Sequence, residues 1–200
     1  MTFLIILLPL VVTATAFGRH IIGMKLFGPY ICIIMVYAAI ALGLIPGVGI
    51  TIAVYLISSL MRYLSRKLRM HYIPRIALLT TILAVVALIF STETSIFGSL
   101  AFAKELSLVL LLGLSDSYLT AEIQKGYMEA GKMFLQTLIL VIILLLFASW
   151  AGFRDILSTY PFLVLALCLV ANIYIGRWKG LRFNEIYRFR SVIAQKAKEL

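Results

Sequence analysis

Seven apolar runs, separated by connections too short to hold a domain, take up nearly all of this chain. They fall at about residues 2–17, 30–42, 50–64, 76–90, 97–114, 132–151 and 161–176. A helix needs ~20 residues to cross a bilayer fully, so several runs are short by a turn or more. Flanking residues that continue as helix, with Arg and Lys side chains snorkelling to the headgroups, account for the difference. Hydrophobic residues make up 63% of the chain and charged residues 13%, too little polar side chain to clothe a soluble surface. The pattern predicts an all-α, polytopic membrane helix bundle of about seven transmembrane helices in residues 1–180. A basic amphipathic tail follows in residues 181–200.

Orientation is read from charge. Of the eighteen Lys and Arg residues, all but Lys104 and Arg154 lie in one set of alternate connections and in the tail. Arg19 and Lys25 follow the first run; Arg62, Arg66, Lys67, Arg69 and Arg75 follow the third; Lys125 and Lys132 follow the fifth. Seven more lie between Arg177 and Lys198. The opposite connections, residues 44–49, 91–98 and 152–160, contain Arg154 alone. Basic loops stay in the cytoplasm, which predicts an outside N-terminus and a cytoplasmic C-terminus. Ala14-Thr15-Ala16 resembles a signal-peptidase site, but the positive charges follow the first run instead of preceding it. Cleavage there would also place the 62–75 cluster outside, against the charge rule, so the first helix is retained.

Breakers set the expected turns. Gly43 to Gly47 is predicted to be a tight outer hairpin, and Pro29, Pro74 and Pro161 to open helices, where a missing N–H costs little. Residues 118–126 are expected to form a loop after the fifth helix, and residues 152–160 a further connection.

Little of the chain is suited to catalysis. His20 and His71 lie in cytoplasmic loops with no Cys, His or carboxylate at metal-ligand spacing. Cys32 and Cys168 fall inside apolar runs and read as small apolar residues, not as disulfide partners or metal ligands. No phosphate loop, no G-x-S-x-G elbow and no Ser–His or paired-Asp set can be assembled, so neither an enzyme nor a cofactor is expected. The seventh run has no lysine for a retinal Schiff base. The net charge of +10 is explained by the juxtamembrane clusters, facing anionic headgroups, and no nucleic acid is expected.

Three polar residues stand out within the apolar runs. Lys104 and Glu105 interrupt the fifth run about 10 Å from its expected outer end, at 1.5 Å per residue. At depth they would face a cavity or a partner; alternatively the helix begins near Glu105 and both charges sit at the outer interface. Asn172 in the seventh run has the character of a residue that bonds across a helix contact. Beyond Gly180, Phe183, Ile186, Tyr187, Ile193, Ala197 and Leu200 recur at helical spacing among basic residues. This describes an amphipathic interfacial helix, serving as a lipid anchor or as a docking helix for a partner. The cytoplasmic basic surface for partner or lipid then comprises Arg62, Arg66, Lys67, Arg69, Arg75, Arg177, Lys179, Arg182, Arg188 and Arg190.

The motifs Leu8-Pro9-Leu10-Val11-Val12, Phe17-Gly18-Arg19, Ile22-Gly23 and Phe27-Gly28 open the chain. Ile73-Pro74-Arg75, the segment 118–126, Gly176-Arg177-Trp178-Lys179-Gly180-Leu181-Arg182 and Arg188-Phe189-Arg190 follow in order. Together they resemble the bacterial seven-helix membrane domain usually fused to an inactive transglutaminase-like domain. That resemblance implies an inner-membrane protein whose relatives carry an external domain ahead of the first helix. Here Met1 runs directly into the first helix, so the external domain is expected to be absent or supplied by a separate transglutaminase-like protein. The resemblance also implies association with an ATP-grasp peptide ligase and a retropepsin-like protein that make or mature peptides. A second set, Gly28-Pro29, the basic loop before Arg75 and Ile123-Gln124-Lys125-Gly126, is similar to the small membrane subunit of poly-gamma-glutamate synthase, which also accompanies an ATP-dependent amide ligase.

These readings converge on a non-catalytic membrane scaffold or conduit that recruits a cytosolic ATP-dependent peptide or amide ligase through its basic loops and tail. The alternative is an autonomous transporter or channel for a small anion or peptide. The odd helix count and the absence of visible repeats weigh against it.

Overall fold

In the computed structural model the structure describes residues 2–67 and 101–177, together with 77–78, 81–82 and 84–85. All regular structure among them is helical. Helix α1 spans Thr2–Phe17 and passes into a π-helical turn, Gly18–Ile22; α2 is Pro29–Leu42 and α3 is Leu44–Lys67. Then come α4, Ala101–Lys125; α5, Tyr127–Ser149; α6, Ala151–Thr159; and α7, Pro161–Arg177. Most of the expected fourth span lies outside the described residues, but its described positions, 77–78, 81–82 and 84–85, are helical.

By length and composition, Phe3–Ile22 and Tyr127–Ser149 suffice to cross a membrane, and α6 with α7 forms a third apolar element bent by 95°. Pro29–Leu42 and Leu44–Leu60 are shorter apolar helices. The α5 helix shows why such elements need lipid. Ala130, Met133, Phe134, Thr137, Leu138, Val141, Leu144, Leu145 and Ala148 recur at three- and four-residue spacing and are buried. Leu135, Ile139, Ile143, Leu146 and Phe147 face outward and are just as apolar. A helix apolar on its exposed face as well as its buried one belongs in a bilayer.

Three expected connections are corrected. Residues 44–49 are the first turns of α3, not a hairpin loop, because Gly43 makes the whole turn alone at φ +96°. Pro46 then sits in the first turn of α3, where no N–H is needed, and the Gly47 N–H donates to the Gly43 carbonyl at 2.8 Å. Residues 118–125 are helical to the end of α4, with Gly126 at φ +84° making the turn into α5. Most of the expected connection 152–160 is the helix α6.

The chain divides into two compact units, Met1–Ile33 with Met133–Leu200, and Ile34–Lys132. In the first unit, α1 packs on α7, and α6 packs on both. The Arg154 guanidinium lies 5.5 Å from the centre of the Phe3 ring, just ahead of α7. Near the other ends, Asn172 Nδ2 donates to Thr13 Oγ1 at 2.9 Å, so α1 and α7 run in the same direction. The segment between the π-helical turn and α2 is anchored by α5. Its Lys25 N–H donates to Gln136 Oε1 at 2.7 Å and its Phe27 N–H to Thr137 Oγ1 at 3.1 Å. Thr137 is fully buried and its own hydroxyl donates to the Met133 carbonyl at 2.7 Å. Thr137→Val keeps the volume but leaves the buried Phe27 N–H without its acceptor, at an expected cost of about 1–3 kcal/mol. A lowered midpoint in detergent unfolding checks this.

In the second unit, α3 packs on α4. Thr51, Val54, Tyr55 and Ser58 of α3 are buried, as are Leu114, Ser115, Tyr118, Leu119 and Glu122 of α4. Both sets follow helical spacing, while Ile45, Ile52, Leu56 and Leu60 face outward from α3. A Cβ on Gly47 would lie 2.4 Å from Ala39 Cα, so α2 and α3 touch there through backbone.

A buried polar cluster as the candidate functional site

The second unit buries more polar chemistry than an apolar bundle needs. Glu122 is 1% exposed, and Ser115 and Tyr118, seven and four residues earlier on α4, are covered as completely. That spacing puts all three on one helical stripe of α4, the helix that packs on α3. The Tyr118 ring meets Tyr55 edge-on, with centroids 5.8 Å apart and planes at 82°. The Tyr118 hydroxyl donates to Met35 Sδ of α2 at 3.6 Å, a weak acceptor suited to an apolar surrounding. The Tyr55 hydroxyl lies within electrostatic range of the Glu122 carboxylate and of Tyr127 on α5. It also approaches Gly131, where an added Cβ would come within 3.3 Å of its oxygen. Thr51 and Ser58 donate to the Gly47 and Val54 carbonyls, which commits their protons within α3.

A carboxyl among phenols and hydroxyls inside apolar helices can hold or exchange a proton, or bind a small cation. Among the described residues, no group of three His, Cys, Asp or Glu side chains could hold a metal ion. Cys32 and Cys168 are both buried free thiols.

Lys104 and Glu105 are the fourth and fifth residues of α4, with their backbone in its first turns; their side chains lie outside the described residues. Asn172 joins α7 to α1 within the first unit. Arg62, Arg66 and Lys67 form part of the last turns of α3, with side chains outside the described set. Arg69, Arg75, Lys179, Arg182, Arg188 and Arg190, and with them the expected tail helix, lie outside the described residues. Arg177 is the exposed last residue of α7.

Within the first unit, the charges sort by end. Arg19, His20 and Lys25 follow α1, and Arg177 ends the parallel helix α7; all four are exposed. Arg154 sits at the opposite end, where its Nε donates to the Ala148 carbonyl at 2.6 Å near the terminus of α5.

Reading residues 118–126 as a loop concealed Glu122. The signal that reveals it is the unbroken spacing Ser115, Tyr118, Leu119, Glu122, which continues the stripe from Leu114. Gln136 and Thr137 were also missed, because each acts through a backbone group that a sequence does not place.

No curated protein and no solved structure matches the chain, so the likeness to the poly-gamma-glutamate synthase subunit gains no support. One family model does match, over residues 1–193, and it describes seven transmembrane helices usually fused to an inactive transglutaminase. With its outward-facing apolar helices, this multi-pass membrane chain belongs to that family.

Proposed function

We propose that the chain is a non-catalytic scaffold or conduit in a bacterial inner membrane, working with a cytosolic ATP-dependent peptide or amide ligase of the ATP-grasp type in peptide synthesis, maturation or export. The observation that carries this reading is the match over residues 1–193 to a membrane family whose usual fused domain is an inactive enzyme. Such a membrane part holds or passes a molecule on which another protein acts. The proposed topology has the start of α1 outside and the end of α7 in the cytoplasm. It is supported by the separation of Arg19, Lys25 and Arg177 from Arg154 along the parallel helices α1 and α7. The ligase would engage the basic cytoplasmic clusters by electrostatics, and a separate external transglutaminase-like protein would meet the other face.

A pull-down from native cells in mild detergent tests the reading. An amide ligase is expected to co-purify at low salt and to be lost at high salt, as screening over roughly 10 Å at 0.1 M requires. Arg188→Glu with Arg190→Glu is expected to release it while the helices stay inserted. Recovery of the chain without a ligase at low salt would remove the scaffold reading.

The buried Glu122 favours a second reading, an autonomous transporter of a small anion or peptide coupled to protons. Ionisable side chains at such depth more often belong to pathways and relays than to packing.

A further inference from the structure

We propose that α6 is an interfacial helix lying in the headgroup layer of a phospholipid bilayer, setting the depth of the bundle at the end where α1 begins. Four observations converge. First, α6 meets α7 at 95°, so an α7 that crosses the membrane leaves α6 along its surface. Second, α6 has two faces. Phe153, Ile156 and Leu157 share one side, where Leu157 is 1% exposed and the Phe153 ring lies 6.0 Å from Phe147 of α5. Asp155, Ser158 and Thr159 occupy the other side and are all exposed.

Third, the flanking residues are interfacial in type: Trp150 is 65% exposed ahead of α6, and Tyr160 and Phe162 are exposed behind it. Fourth, α6 is fastened at one level of the first unit. Arg154 Nε holds the Ala148 carbonyl near the end of α5 while its guanidinium covers Phe3 at the start of α1. A cation at the C-terminal end of α5 also meets the negative end of that helix dipole.

A bent apolar pair can also be a re-entrant loop, which would carry Arg154 and Asp155 into hydrocarbon. The polar side, with Asp155 and Ser158 facing away from the bundle, fits a surface in contact with water. The occupant of the apolar rim, from Trp150 through Ile156 to Phe162, is therefore the boundary between headgroups and acyl chains.

Depth-dependent fluorescence quenching decides it. Trp178→Phe leaves Trp150 as the only tryptophan, since the chain has two. The protein is reconstituted in phosphatidylcholine–phosphatidylglycerol vesicles carrying brominated lipids labelled near the headgroup or near the chain end. The shallow label is expected to quench most, placing Trp150 about 15 Å from the bilayer centre, the half-thickness of the hydrocarbon core. Strongest quenching by the deep label would overturn the proposal in favour of a re-entrant loop. Quenching by aqueous iodide alone would overturn it in favour of a helix held off the membrane. A nitroxide on Ile156→Cys gives an independent depth that leaves Trp150 intact; it too must fall at the boundary. Replacement of Ile156, which is 56% exposed, leaves the buried contacts of α6 in place.

Discussion

Gly47→Leu is expected to prevent α2 and α3 from docking. An added Cβ would sit 2.4 Å from Ala39 Cα, 2.9 Å from its Cβ and 3.2 Å from its carbonyl oxygen. Two of those atoms are backbone, so no rotamer change relieves the clash and the helices must separate. Overpacking at a tight core contact costs about 1–3 kcal/mol when side chains can yield, and a backbone obstacle places this substitution at or beyond the upper end. Even Gly47→Ala is expected to destabilise, though by less. Unfolding in mixed detergent, followed by helical circular dichroism, would read both as lowered midpoints in the order Ala, then Leu. Wild-type stability in Gly47→Leu would mean that α2 and α3 do not meet at this point.

The second large effect is expected at Glu122. Glu122→Ala removes a side chain that is 1% exposed and takes its polar contacts with it, an expected loss of about 2–4 kcal/mol. Glu122→Gln keeps the shape and most hydrogen-bonding capacity but cannot carry a negative charge, so a milder loss is expected. That difference makes Glu122→Gln the informative variant for function. If the chain moves a proton with its cargo, proteoliposomes bearing Glu122→Gln lose uptake driven by a pH gradient while remaining folded. If the chain is a scaffold, the same variant retains its salt-sensitive partner. The two readings of function therefore separate at one atom.

The sequence exposed the class of this fold more readily than its turns. Apolar runs at 2–17 and 161–176 became α1 and α7 almost residue for residue, because hydrophobic length is what lipid selects. The turns failed for a common reason. Gly43 and Gly126 each separate two helices with a single positive φ, so the neighbouring residues, polar or breaker-rich as they read, remain helical. Tyr118 and Glu122 fell in an expected loop because polarity dominates a hydropathy scan, yet with Ser115 their spacing is that of a buried stripe. The helix α6 was hidden by its brevity, nine residues between two longer apolar elements. Asn172 was recognisable as a residue that bonds across helices, but its partner Thr13 lies 159 positions away, beyond any local pattern.

The common direction of α1 and α7 imposes a parity on any chain in which both helices cross the membrane. Two spanning helices that point the same way must be joined by an odd number of crossings. A relative can therefore gain or lose an adjacent pair between them and keep this contact. The loss of one crossing would invert α7, separate Asn172 from Thr13 and carry the basic residues after Arg177 to the wrong face. Evolutionary change in the middle of the bundle should accordingly come in helical hairpins, while anything attached ahead of α1 stays across the membrane from whatever follows α7.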